Sequence, residues 1–352
     1  MHLARAFRGL TLRDLGAGVG LTAGALSQME KGLIRPSPAT AASLALALGL
    51  PREFFTLDRR GTGEATPAGT HFRSLRSTSA RDRNAAWAWS QIVLDVADAL
   101  QAWVELPDIA IPSHPLESAA TAADIARAVD AVRAAWQLPA GPVGNLVRHL
   151  EAHGVIVARA RLSTARIDAF SNNQARRPVV VLGTNKADAA HGRFDVAHEL
   201  GHLVGHPEAD PGGGHEQQAH AFAAELLMPA DQITAELPRR FDLGGYGRLK
   251  HRWGVSIQAL LYRARTLNVI TDAAYRRALV AIEATHGRTD EPFPLPQPER
   301  PVLLAQAFQL ASEQGASLDL IAGRTGLPRQ LVEDIVTNTM PPRVDLSEAD
   351  HP

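Results

Sequence analysis

No stretch constrains this chain more than FDVAHELGHLVGH at 194–206. Phe194, Ala197, Leu200, Leu203 and Val204 fall at helical spacing, so His198 and His202, four residues apart, project from one helix face. Two imidazoles placed in this way can hold one Zn²⁺ at about 2.0–2.1 Å through Nε2 or Nδ1, with Glu199 in reach of metal-bound water as general base. A catalytic zinc also needs a third protein ligand and one open position, so the fold must return a further donor to this helix. The 352 residues include no cysteine. That excludes disulfides, thiolate zinc fingers, iron–sulfur clusters and a cysteine nucleophile, and leaves His, Asp and Glu as ligands.

Four residues compete to be the third ligand. Gly205 and Glu208 would complete HExxHxxGxxE if the chain turned at the glycine, and His206 lies on the same helix one further turn along. Three residues on one straight helix face cannot surround a tetrahedral ion, which leaves His206 a supporting or surface role. Glu216 is favoured: it opens a new helix, EQQAHAFAAELLMP, after the flexible Pro211–Gly214, and a carboxylate near a helix start can close the site. Glu225 is weaker because Leu226, Leu227 and Met228 surround it. His220, one turn beyond Glu216, is expected behind a ligand as its support. Oxyanion donors are sought among His206, His215, Arg193 and Tyr246.

The composition is globular, with 36 basic and 37 acidic residues, yet residues 1–60 carry eight basic groups against four acids. Such a balance suits a nucleic-acid-binding module. Here Thr11–Leu15 and Thr22–Gly32 have helix–turn–helix spacing, with Gly16–Gly18 available for close packing. The second helix is thin, and Thr22, Ala23, Ser27 and Gln28 leave room for it to enter a major groove of double-stranded DNA, flanked by Arg13, Lys31 and Arg35. Further along, GTGEATPAGT at 61–70 reads as a linker, and the basic run at 71–83 as phosphate-contacting or domain-bridging. Residues 81–104 read as helix, as do 122–137, 143–153 and 256–267, whereas 154–159 and 178–182 read as strands. Five prolines in GRTDEPFPLPQPERP at 287–301 exclude a regular element there and mark a second linker. Residues 317–336 repeat the helix–glycine–helix pattern, but Asp319, Glu333 and Asp334 favour an interaction or oligomerisation role. No apolar run approaches a membrane span and no signal peptide is legible at the start, so a cytoplasmic protein is expected.

These motifs also carry a resemblance. FDVAHELGHLVGHP, EQQAHAFAAELLMP and LKHRWGVSIQALLYRARTLNVI resemble the ImmA/IrrE family of metallopeptidases over about residues 120–285, while Leu3–Phe55 is similar to the Xre/Cro-type helix-turn-helix. The resemblance implies His198, His202 and Glu216 as zinc ligands and Glu199 as base, with His220 where the family commonly has Asn or Asp. In the second resemblance, Leu12 stands where Gln is usual. The expected fold is α+β and mostly α-helical: a helix-turn-helix domain (1–60), a linker and helical connector (61–120), a zincin-like peptidase domain with a small β-sheet (121–286), and a Pro-rich linker with a C-terminal HTH-like helical domain (287–352). Together these suggest a homodimeric, zinc-dependent endopeptidase, or one using another divalent ion such as Mn²⁺, fused to DNA recognition and acting on a protein substrate such as a repressor. The alternative is a transcription factor whose peptidase-like domain senses a ligand or metal and cleaves nothing.

Overall fold

The computed structural model describes residues 1–57, 70–72, 79–160, 168–173, 176–183, 188–206, 213–286 and 291–338. In chain order the N-terminal elements are α1 (His2–Phe7), α2 (Leu12–Val19), α3 (Ala23–Glu30), α4 (Pro38–Leu48), a 3₁₀ turn (Arg52–Phe55), strand β1 (Thr70–Phe72) and α5 (Ala80–Leu100). Then come α6 (Ala122–Ala135), α7 (Leu146–Ala152), β2 (Ile156–Ala160), β3 (Ala169–Asn172), β4 (Val179–Gly183), α8 (Ala189–Gly205) and α9 (Gly213–Leu227). The remainder is α10 (Ala230–Ile233), α11 (Leu243–Trp253), α12 (Ile257–Thr266), α13 (Asp272–His286), α14 (Leu303–Glu313), α15 (Leu318–Thr325) and α16 (Arg329–Val336). The described residues are mostly helical with one small sheet, and many helices begin where the sequence offers a short polar side chain. Thr11, Thr22, Ser37, Ser79, Thr121, Asn145, Asp188 and Ser256 each accept a hydrogen bond from an N–H in the first turn. Most of the linker at 61–70 and the tail beyond 338 lie outside the described residues.

By contacts the chain divides into two units. The first holds residues 1–108, 155–185 and 301–352. At its centre is α5, expected only as a connector, which is buried on every face from Ala86 to Ala97. A helix buried on every face belongs in a core, and the polar residues of this one, Ser90, Gln91 and Asp95, are buried with it. Contacts join α5 to α1, β2, β4, α14, α15 and α16, so the C-terminal helices pack into the same core as the N-terminal ones. The sheet has the order β1-β3-β4-β2, with β2 and β4 parallel and the other pairs antiparallel. Ile156, Ala158 and Ala160 of β2 and Val179 and Val181 of β4 alternate into that core. Asn172 Nδ2 donates to Ser90 Oγ at 3.2 Å, and Arg176 pairs with Asp95 at 3.1 Å, tying the sheet to α5 through buried polar contacts.

The second unit holds residues 109–154 and 186–300. Helices α8 and α9 form an antiparallel pair, with α6 against α9 and α7 against α8. Gly201, the fourth residue of HELGH, permits this approach: a Cβ there would lie 3.0–3.2 Å from Phe222 and the Ala219 Cα. The proline-rich segment has no regular structure over 291–300, yet it is anchored at both ends. Glu291 accepts from the Ile257 and Gln258 N–H groups at the start of α12 and from Lys250 Nζ, all within 2.9 Å. Glu299 pairs with Arg193 and accepts from the Val147 N–H at 2.9 Å.

Candidate metal centre

Helix α8 places His198 and His202 one turn apart, both about 1 % exposed, and α9 brings Glu216 in its first turn to face them. The two Nε2 atoms lie 3.2 Å apart; Glu216 Oε2 is 3.4 Å from His198 Nε2 and Oε1 is 3.3 Å from His202 Nε2. Among the described residues this trio forms a group whose donor atoms all lie within 4.8 Å of one another. Ligands bound at about 2.0–2.1 Å with tetrahedral angles stand about 3.3–3.4 Å apart; the two imidazoles come close to that spacing, and the Glu216 carboxylate spans them with one oxygen near each ring. Two imidazole lone pairs facing each other at 3.2 Å also need a cation or proton between them. Burial opposes ionisation of Glu216, but the two imidazoles outweigh it and hold the carboxyl down to about 2. Glu199 is fully buried in the middle of α8.

Of the rival ligands, Glu208 lies outside the described residues, and helix α8 ends at Gly205. Glu225 pairs with Arg263 and accepts from the Ala230 N–H at 3.0 Å. His206 is 2 % exposed and lies behind His202, its Nδ1 3.1 Å from His202 Nδ1 and its Nε2 toward Gln218. Burial lowers its pKa to about 4, despite the bond to Gln218, so it is neutral at pH 7. His220 packs between the Phe194 ring, at 4.9 Å, and the Tyr262 ring, at 5.8 Å.

Of the oxyanion candidates, Arg193 binds the Val143 and Gly144 carbonyls and Glu299. Tyr246 is fully buried with its hydroxyl toward the Pro238 carbonyl, and burial pushes its pKa up to about 12. His215 stacks on His206 with ring centroids 4.2 Å apart. Sequence reasoning missed Gln218 and the Glu117 carbonyl that it contacts at 2.6 Å. Neither has a chemically distinctive residue type or spacing, and only the packing of α9 brings them to the site.

At the N-terminus, α2 and α3 meet as the motif predicts. A Cβ on Gly16 would lie 2.4 Å from the Leu21 carbonyl oxygen, while nothing approaches Gly18 within 4 Å, so the close packing belongs to Gly16 alone. Arg13, Thr22, Ala23, Gln28, Lys31 and Arg35 are exposed and Ser27 is half-buried, although the Thr22 hydroxyl also accepts from the Ala25 N–H. Among the described residues, Arg5 is engaged with Glu30, and Arg8 with the Leu48 and Gly49 carbonyls.

Both regions match known families. Residues 150–265 match the family model Peptidase_M78, the IrrE N-terminal-like domain, and residues 3–55 match the helix-turn-helix model HTH_3. An IrrE-like domain follows a helix-turn-helix. The IrrE-like match covers β2, β3 and β4 as well as the helices that bring His198, His202 and Glu216 together. No curated protein matches the chain. Among the described residues no helix is long and apolar enough to cross a membrane.

Proposed function

We propose that this chain is a cytoplasmic, zinc-dependent endopeptidase fused to operator recognition, acting on a protein substrate such as a repressor. The observation that carries the reading is the convergence of two buried imidazoles one helical turn apart and a facing carboxylate, His198, His202 and Glu216, with one donor atom from each within 4.8 Å of the others. His198, His202 and Glu216 would hold zinc, or another divalent ion such as Mn²⁺, which would supply Lewis acidity and acidify water at the site. Glu199, adjacent to His198 on α8, takes the proton of the attacking water on its carboxylate and delivers it to the leaving amine. His220 supports the site by packing, since Phe194 beneath it lies one turn before His198.

Metal content and cleavage, measured together on the wild type and Glu199→Gln, test this reading. The variant should keep one zinc per chain and lose cleavage by at least about 10²-fold, the scale of a general base. A wild type that binds zinc, regulates transcription and cleaves no protein would instead be a sensor, and one that binds no divalent ion would end the proposal.

In the DNA-binding half, Thr22, Ala23, Ser27 and Gln28 enter the major groove and Arg13, Lys31 and Arg35 contact phosphates, in a homodimer spanning two half-sites. Gln28→Ala should lower the preference for the cognate operator by about 1–3 kcal/mol, and Arg13→Ala should flatten the salt dependence. Equal binding to all sequences by the wild type would refute it.

A further inference from the structure

A chain of hydrogen bonds runs from the back of His202 to a backbone carbonyl. His202 Nδ1 lies 3.1 Å from His206 Nδ1, His206 Nε2 lies 2.8 Å from Gln218 Oε1, and Gln218 Nε2 lies 2.6 Å from the Glu117 carbonyl oxygen. Its direction can be read from the far end. A carbonyl oxygen only accepts, so the Gln218 NH₂ faces it and Gln218 Oε1 faces His206. That oxygen also only accepts, so His206 Nε2 carries a hydrogen. In a neutral imidazole Nδ1 is then a lone pair, which accepts from His202 Nδ1–H. A His202 ring whose single hydrogen is on Nδ1 has its lone pair on Nε2, the atom that faces His198 and Glu216.

We propose that His206 and Gln218 are positioning residues that lock His202 into the Nδ1–H tautomer, so that Nε2 is preset to bind a metal ion. The proposal rests on the metal reading above; in the metal-free protein the chain behind His202 competes with donation from His202 Nε2 to Glu216, 3.3 Å away, and the lock requires that the chain win. Both residues are almost fully buried, His206 at 2 % and Gln218 at 5 % exposure, so water cannot readily substitute for the missing partner. Glu117 contributes only its main chain, which fixes the polarity whatever side chain occupies that position.

The test uses the full-length chain with ¹⁵N-labelled histidine. Ring ¹H–¹⁵N correlations of the metal-free wild type should show His202 protonated at Nδ1; protonation at Nε2 would overturn the proposal. Zinc affinity is measured in parallel by competition with a chromophoric chelator. Leu and Asn are nearly isosteric, but only Asn offers an acceptor to His202. His206→Leu should therefore weaken zinc binding by about 10–100-fold, and His206→Asn should recover most of it. Gln218→Met should weaken binding in the same direction. Equal losses in the Leu and Asn variants would reduce His206 to a packing residue and overturn the assignment. If the wild type shows the Nδ1–H tautomer and takes up no zinc, the metal reading fails while the lock stands. Tight zinc binding together with an Nε2–H ring in the metal-free protein would do the opposite, keeping the metal site and removing the lock.

Discussion

Arg5 sits in the first helix of a domain whose positive charge suggests DNA, yet it is only 8 % exposed. Its guanidinium donates twice to Glu30, at 2.8 Å each, and once to the Leu10 carbonyl, pinning α1 to the end of α3. Burial alone would raise the Glu30 pKa, but hydrogen bonds from His2 and Arg5 outweigh it and hold the carboxyl down to about 2. A depressed folded-state pKa gives stability that is fully present above the ordinary carboxylate value and is lost as pH falls through the folded value. Acid should therefore loosen the N-terminal helices between about pH 4.5 and 2, as followed by amide exchange in α1 and α3. Glu30→Gln should remove that pH dependence and cost about 3–5 kcal/mol at neutral pH, because it leaves a buried guanidinium without its counter-charge. An unchanged acid transition in the variant would show that the pair is not its source.

At the scale of elements, the proposed metal trio depends on how closely α9 approaches α8. Phe222 and Ala219 occupy the space that a side chain at position 201 would need. Gly201→Ala should force α9 outward by a few tenths of an ångström, and Gly201→Val by more. Overpacking of this kind costs about 1–3 kcal/mol and should displace Glu216 from the two imidazoles. Zinc affinity should fall in the order Gly, Ala, Val while far-ultraviolet circular dichroism stays constant. Gly16 has the corresponding role between α2 and α3, where its neighbour is a backbone oxygen that cannot rotate away. Gly16→Ala should abolish operator binding while leaving zinc content unchanged.

Across the whole molecule, the first unit is organised by α5. Since this helix contacts α1, β2, β4, α14, α15 and α16, a cavity in it should be felt at both chain ends together. Leu94→Ala removes a fully buried side chain and should cost about 2–5 kcal/mol. Hydrogen exchange should then accelerate in residues 2–7 and 303–336 in parallel; a change confined to one end would mean that the C-terminal helices fold on their own.

The local pattern alone determined a good deal. The helix starts after Thr11, Thr22 and Thr121 were visible because capping is settled within three residues, whereas α7 and α8, read from 143 and 194, start at Leu146 and Ala189 behind the caps Asn145 and Asp188. The pair His198 and His202 needed only the helical repeat, and the families matched at 3–55 and 150–265 are those that the motifs resemble. Other features required the chain to fold back on itself. Strand β3 is four residues long and ends in Ser171-Asn172, so it has little signal of its own and is held by pairing with β4. Whether Glu208, Glu216 or Glu225 faces the imidazoles could not be read from spacing, and it is the packing of α9 on α8, and of Arg263 on Glu225, that separates Glu216 from Glu225. The choice of Nε2 over Nδ1, and the Gln218 contact behind it, likewise exist only once residues 12 apart are packed together. The sequence determines which side chains can do chemistry, since that is a property of residue type and helical repeat; the tertiary structure decides which of them meet, since that depends on long-range packing.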